Sequence, residues 1–280
     1  MKKPIIELID QSSGLYAIPE ICSLLNAKLK EPYASNAQIS DIIQRDPGLT
    51  LTILKIVNSA FYGFESSITT VTKAITILGR NELTALVFGT SAVNVFSKLE
   101  IEKSKLYQHW QHSLFCGLLA KQLAFQTKQT KQVDNLFIAG LLHDIGRLII
   151  WHKLPQESAA LAQALKENPA HELTLEFDLL GFNHAELGAE LMKLWKVPQL
   201  LIETTLWHHS PEQAIDYPLE CQLIHIANNL AHFETLDHEI QAELEQNSVL
   251  ANFALDFDTV KLNHGLAQQQ MREMIGMFLT

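Results

Sequence analysis

The stretch Leu141-Leu142-His143-Asp144-Ile145-Gly146-Arg147 sets a histidine directly before an aspartate inside an apolar helical segment. Both side chains bind metals, and neither is cheap to bury. Neighbouring residues on a helix point about 100° apart, so His143 and Asp144 share one cavity only where a helix ends. Gly146 predicts that end, as a glycine in the left-handed C-cap conformation. Alone, such a pair reads as a hydrogen-bonded core histidine beside a capping aspartate. The chain holds twelve histidines, however. His112, His184, His208 and His209 join His143 and Asp144 on separate predicted helices, each near a buried face or a helix end. Facing helices of a bundle build metal sites in that way.

The helices that must position these residues announce themselves by caps and stripes. Residues 17–29 predict a helix after Ile18-Pro19, with Ile21, Leu24, Leu25 and Leu29 on one face. Ser35 and Gln38 form a capping box ahead of Ile39, Ile42 and Ile43. Asp46-Pro47 supplies an N-cap with proline at the first helical position, followed by Leu49, Ile53, Leu54, Ile56 and Val57. Asn58 to Gly63 is a polar-to-aromatic turn, in which Phe61 and Tyr62 read as core. Val71, Ala74, Ile75 and Leu78 form the next stripe, closed by Gly79, and Asn81 is expected to cap the helix after it.

Further on, a helix over about 107–125 carries His109 and His112. Leu119 and Leu123 recur seven and eleven residues beyond His112, which places His112 toward the buried face, with Trp110 elsewhere on the wheel. Asp134 is expected to cap the helix that ends at His143-Asp144. Residues 156–180 predict one or two helices. Asn183 with Glu186 forms another capping box, and His184 opens its helix. A helix stops at His208-His209, before Ser210-Pro211, and another carries Ile224, Ala227 and Asn228. In the tail, Ile240, Leu244, Val249, Leu250 and Phe253 suggest one helix. Val260, Leu262, Leu266, Met271, Met274, Ile275, Phe278 and Leu279 suggest a helix docked on the body.

Composition bounds the rest. The 280 residues, 47% hydrophobic and 19% charged, bury a substantial core and do not describe a disordered chain. Only 12 glycines and 9 prolines leave few turn clusters, which argues against an all-β chain. The expected fold class is all-α, a multi-helix bundle. Its expected divisions are an N-terminal helical subdomain over 1–100, a helical subdomain with the candidate site over 101–236, and a C-terminal helical extension over 237–280. A net charge of −10, with no Lys/Arg run interleaved with aromatics, excludes a general nucleic-acid binder. Cys22, Cys116 and Cys221 form no paired motif and read as small buried hydrophobes in a reducing compartment. No apolar run reaches the ~18 residues of a membrane span. Lys2-Lys3-Pro4 followed by Glu7 and Asp10 does not read as a secretion signal. The cytoplasm is therefore expected.

Asp46-Pro47-Gly48-Leu49, then Leu54-Lys55-Ile56-Val57-Asn58-Ser59-Ala60 and Phe61-Tyr62-Gly63, then Ala74-Ile75 to Leu78-Gly79, resemble the signature of the HDOD family. That family is a variant of the HD superfamily of metal-dependent phosphohydrolases. The resemblance runs from about Leu15 to about Ala231. It implies an all-helical fold, with residues 101–236 as the HD-like part, found in bacterial signalling proteins, often without demonstrated catalysis. The order His112, His143-Asp144, His184, His208-His209 is similar to the superfamily's ligand order, whose closing aspartate falls on Asn228. The cyclic-di-GMP phosphodiesterase branch has a glutamate where this chain has Gln108 and a lysine where it has Arg147. The Gly-Tyr-Pro signature of that branch survives as Tyr217-Pro218, with Asp216 in place of glycine.

Charge makes these departures matter. Asp144 is the only anionic member of the ligand set His112, His143, Asp144, His184, His208, His209 and Asn228. A site rich in imidazole and poor in carboxylate suits one divalent transition ion (Fe, Ni, Zn or Mn) better than two hard ions such as Mg. Without a second ion the two-metal clamp of phosphodiester hydrolysis is missing. Arg147 could hold a phosphate through its planar fork of donors. No organic cofactor is expected. Two functions follow. The first is a cytoplasmic regulatory scaffold that binds protein partners in a signalling pathway, with a degenerate or single-metal site. The alternative is a metal-dependent phosphohydrolase acting on a nucleotide or cyclic dinucleotide.

Overall fold

A computed structural model describes residues 3–10, 14, 16–127, 133–167, 171–237, 240–241, 244, 250 and 253–279. Among these residues there are helices and turns and no strand. The first half of the chain forms α1 (Lys3–Asp10), α2 (Glu20–Leu29), α3 (Asn36–Ile43), α4 (Pro47–Val57), α5 (Val71–Leu78) and α6 (Arg80–Phe96). The site-bearing part comprises α7 (Lys103–Thr127), α8 (Val133–Leu142), α9 (Ile145–Lys153), α10 (Pro155–Glu167), α11 (Glu172–Leu180), α12 (His184–Trp195), α13 (Gln199–Trp207) and α14 (Pro218–Leu230). The last described helix is α15 (Phe257–Phe278). The expected division near residue 100 falls in the turn between α6 and α7.

Local chemistry starts several of these helices as expected. Ser35 and Gln38 exchange side-chain and backbone hydrogen bonds at the start of α3. Asp46 Oδ1 accepts from the Leu49 N–H at 2.9 Å and Pro47 opens α4. Asn183 and Glu186 form the box ahead of α12. Asn81 does not cap its helix: α6 begins one residue earlier, at Arg80, directly after Gly79. Gly79 has φ +85°, a conformation cheap only for glycine, and it lets α5 turn into α6 with no spacer. The side chain of Asp134 and all of Val249 lie outside the described residues.

The long helix α7 is the axis of the bundle. It is buried around most of its circumference, Trp110 included, because α8, α14 and α15 all pack on it. The closest approach is to α8, where Gly117 and Gly140 face each other. A Cβ on Gly117 would overlap the Phe137 carbonyl oxygen, and one on Gly140 would overlap the Gly117 backbone. Helices α12 and α13 pair with each other, α9 lies on α12, and α13 and α6 flank α8. One hydrophobic core runs from Ile5 on α1 to Phe278 on α15. Phe61 packs against Phe137, and Lys121 lies over the rings of Phe61 and Tyr62. All three cysteines are buried thiols.

Helix α15 docks through Val260, Ala267, Met274, Ile275 and Phe278. Leu262 and Leu266 face solvent instead, 65% and 43% exposed, since a single helix lying on a surface buries one stripe only. No described helix is long and apolar enough to cross a membrane.

Candidate metal centre

His143 and Asp144 form the two-residue turn between α8 and α9. Their position between two helices is as expected, but Gly146 is not the cause. It is the second residue of α9 and has no positive φ. Its role is contact: a Cβ there would overlap the carbonyl oxygen of His184, where α9 crosses α12. That crossing brings His184 over Asp144.

Three rings are held by their Nδ1 atoms. His143 Nδ1–H donates to the Gly140 carbonyl at 2.6 Å. His208 Nδ1–H donates to the Thr205 carbonyl at 2.7 Å, the same three-residue step back at the end of α13. His184 Nδ1–H donates to Glu176 Oε2 at 2.7 Å, and that oxygen also accepts from the His184 backbone N–H at 2.8 Å. Glu176 comes from α11 and is buried. Fixing Nδ1–H fixes the tautomer, so Nε2 of each ring is left for the cavity. His225 Nδ1–H donates in turn to the His208 carbonyl at 2.7 Å.

The Nε2 atoms converge on Asp144. Oδ1 lies 3.1 Å from His184 Nε2 and 3.4 Å from His208 Nε2. Oδ2 lies 3.6 Å from His143 Nε2 and 3.8 Å from His112 Nε2. His184 Nε2 is also 3.3 Å from His208 Nε2 and 3.1 Å from His209 Nε2. Ligand atoms of Asp144, His184, His208 and His209 all fall within 4.8 Å of one another, as do those of His112, Cys116 and His143. Buried His143 Nε2 and Asp144 Oδ1 have no aligned hydrogen-bond partner. Orphaned, converging lone pairs of this kind are satisfied by a cation, so the residues present fit a transition ion.

Electrostatics points the same way at four of the five rings. Burial pushes His208 down to about 4 and His112 to about 3, and lowers His143 and His209 as well. These rings are neutral near pH 7 and keep their lone pairs. His184 is the exception. Burial opposes its charge, but Glu176 and Asp144 outweigh burial and raise it to about 9. Burial would raise the carboxyl of Asp144, but the Arg147 guanidinium beside it outweighs burial and holds it well below the usual carboxylate range.

Arg147 pairs through both terminal nitrogens with the two oxygens of Glu172, and its Nε lies 2.8 Å from Asp144 Oδ2. Asn228 Oδ1 lies 2.9 Å from His112 Nε2, a contact in which the tautomer of His112 decides which group donates. All the expected site residues thus meet in one region, with Asn228 touching it through His112. A cavity of about 660 Å³ opens beside Asp144, lined also by His109, Trp151, Glu172 and His232. Sequence reasoning missed Glu172, Glu176 and Cys116. The glutamates stand one turn apart on α11, and Cys116 stands one turn after His112, a spacing that shares a face.

An all-helical body with a histidine–aspartate cluster at the crossing of its inner helices defines a protein of the HD type. The chain belongs to the HDOD family, whose domain it matches over residues 15–211. It superposes on the crystal structure of the "Putative phosphohydrolase" of Shewanella amazonensis SB2B with a TM-score of 0.79, covering 98% of each chain at 24% identity. An HDOD domain protein of unknown function from Geobacter sulfurreducens gives a TM-score of 0.73 at 23% identity, covering 99% of this chain and 97% of that one. These likenesses carry the fold. An uncharacterized protein of Treponema pallidum (strain Nichols) is 29% identical over 251 residues, 89% of this chain and 48% of that protein. The chain therefore spans about half the length of the curated relative it matches.

Proposed function

We propose that this is a regulatory HDOD protein that acts by binding protein partners in a signalling pathway, with a transition-metal centre that supports the fold and the signal and does not drive hydrolysis. One observation carries this reading. Arg147, the only Lys or Arg lining the cavity among the described residues, is closed onto Glu172 and Asp144. Asn228 adds no negative charge. Glu172, the other carboxylate of the cavity, is taken up by Arg147, so the pocket offers neither a free second carboxylate for a pair of hard ions nor a free cation for a phosphate.

Asp144, His184, His208 and His209 would hold one divalent ion, of the Fe, Ni, Zn or Mn class. Such an ion supplies Lewis-acid polarisation when bound. Glu176 aligns His184, and the Thr205 carbonyl aligns His208. A phosphate-containing ligand reaches the fork of Arg147 only by displacing Glu172, which makes that pair the latch of the pocket.

A second reading, a phosphohydrolase acting on a nucleotide or cyclic dinucleotide, is favoured by the preset rings and the cavity that opens beside them. Elemental analysis of protein purified without a metal column, with phosphodiester hydrolysis assayed under added Mn, Fe or Ni, separates the two. The expected result is bound metal without turnover. Turnover that vanishes in His143→Ala overturns the regulatory reading, and no metal in any preparation removes both the centre and the hydrolase.

A further inference from the structure

A second cavity, of about 740 Å³, opens where α4 meets the end of α6, the start of α7 and the end of α15. It shares no lining residue with the cavity beside Asp144. The α4 stretch from Asp46 to Lys55, which contributes nothing to the metal centre, forms one wall of it. Its floor is apolar: Leu49, Leu106 and Phe278 are buried, and Met277 and Leu279 are half-buried. Leu51 and Tyr107 stand at the rim, 61% and 45% exposed. Scattered singly, such side chains need no partner. Bordering one apolar groove, they mark a contact surface.

The charge of the groove says what kind. Lys55 on α4, Lys98 after α6 and Lys103 at the start of α7 all line it, and all are exposed. None of the three ammonium groups has an ion-pair or hydrogen-bond partner among the described residues. Lys28, Lys121 and Lys193, by contrast, each hold a carboxylate. The one carboxylate in the lining, Asp46, already accepts from the Leu49 N–H. The groove is thus a basic strip with an apolar floor, on a chain whose net charge is −10. Unpaired like charges gathered in one concavity attract an anionic partner.

We propose that this groove docks an acidic, amphipathic segment of a protein partner, with apolar side chains on the floor and Asp or Glu against the three lysines. This rests on the partner-binding reading above and gives that reading a surface and a chemistry. A nucleic acid is disfavoured, because the molecule as a whole repels phosphate. A bilayer is disfavoured too, since contact with lipid is made by apolar faces that enter the membrane surface, whereas this floor is recessed. A peptide segment carries its own side chains down to it.

A random peptide display library, selected against the full chain, tests this. The expected result is enrichment of sequences that combine apolar anchors with Asp and Glu. In fluorescence anisotropy, an enriched peptide should bind roughly tenfold or more weakly to the chain carrying Lys55→Glu, Lys98→Glu and Lys103→Glu, where like charges face each other. Its affinity for wild type should fall as salt rises. Lys55→Gln, Lys98→Gln and Lys103→Gln together should weaken binding less, and they decide the matter where charge reversal disturbs the fold. Enriched peptides without acidic residues, or no enrichment, overturn the proposal. Peptides that bind wild type and both variants alike also overturn it, yet leave partner binding through another surface standing. Chain that sediments with phosphatidylglycerol vesicles through these lysines, or dimerises through them, assigns the groove to a bilayer or a second copy and overturns it as well. Turnover in the phosphodiester assay above removes the regulatory reading and leaves the peptide result untouched.

Discussion

At the scale of single residues, the centre depends on what stands behind each ring. Glu176 fixes the tautomer of His184 from a helix that supplies no ligand itself. Loss of such a partner weakens metal binding by roughly 10- to 100-fold. Glu176→Gln is therefore expected to lower zinc affinity by that order in a calorimetric titration while the far-ultraviolet spectrum stays unchanged. Glu172 makes a different prediction. Its carboxyl is held below the ordinary 4.5, because the pairing with Arg147 outweighs burial. A native pKa below the unfolded value gives stability that is fully present above pH 4.5 and is lost as pH falls through the lowered native value. The gap in urea midpoint between wild type and Glu172→Gln should accordingly be wide at pH 7 and narrow at pH 3. The sequence showed the histidines because metal-ligand types are few and their motif is compact. It hid the glutamates because acidic residues usually mark a solvated face, and these two are drawn inward by partners on other helices, Glu172 by Arg147 on α9 and Glu176 by His184 on α12.

At the scale of elements, caps were legible and contacts were not. Ser35, Asp46 and Asn183 act on backbone groups three residues away, so their meaning lies within a short window. Asp46→Ala is expected to cost about 1 kcal/mol in chemical denaturation, the usual value of an N-cap. Gly146 could not be read in that way. A glycine just after a polar pair looks like a helix stop, yet its environment is His184, on a helix far along the chain. Gly146→Ala should destabilise by about 1–3 kcal/mol or more through overpacking. It should also disturb the centre, since the overlap falls on the carbonyl of a ligand. An unfolding curve that matches wild type would show that α9 and α12 can separate freely. Gly79 carries the reverse lesson: its positive φ is a local matter, and it replaces the cap that Asn81 was expected to provide.

At the scale of the whole molecule, one core joins both halves of the chain and α15. Ring contacts link α15 to the inside, with Phe278 against Phe137 and His264 against Phe115. Met274→Ala, at a fully buried position on α15, is expected to cost about 2–5 kcal/mol. Circular dichroism and tryptophan fluorescence should trace one common urea transition, in the variant as in wild type. Two separated transitions would mean that α15 or the first six helices melt alone. The all-helical class was evident from periodicity and from scarce turn residues. The exposed sides of Leu262 and Leu266 were not, since which stripe of an amphipathic helix is covered depends on the width of the groove it meets.

The meeting of Gly117 and Gly140 has a consequence beyond packing. Cys116 and His112 ride on one rod, His143 on the other, and the rods touch main chain to main chain. With no side chain lying between them, their separation is set by atomic radii alone, which no substitution can retune. Mutations around the bundle can reshuffle its filling and leave that gauge unchanged. A library screened for retained zinc should accept replacements across the neighbouring leucines and isoleucines and return almost nothing but glycine at these two sites.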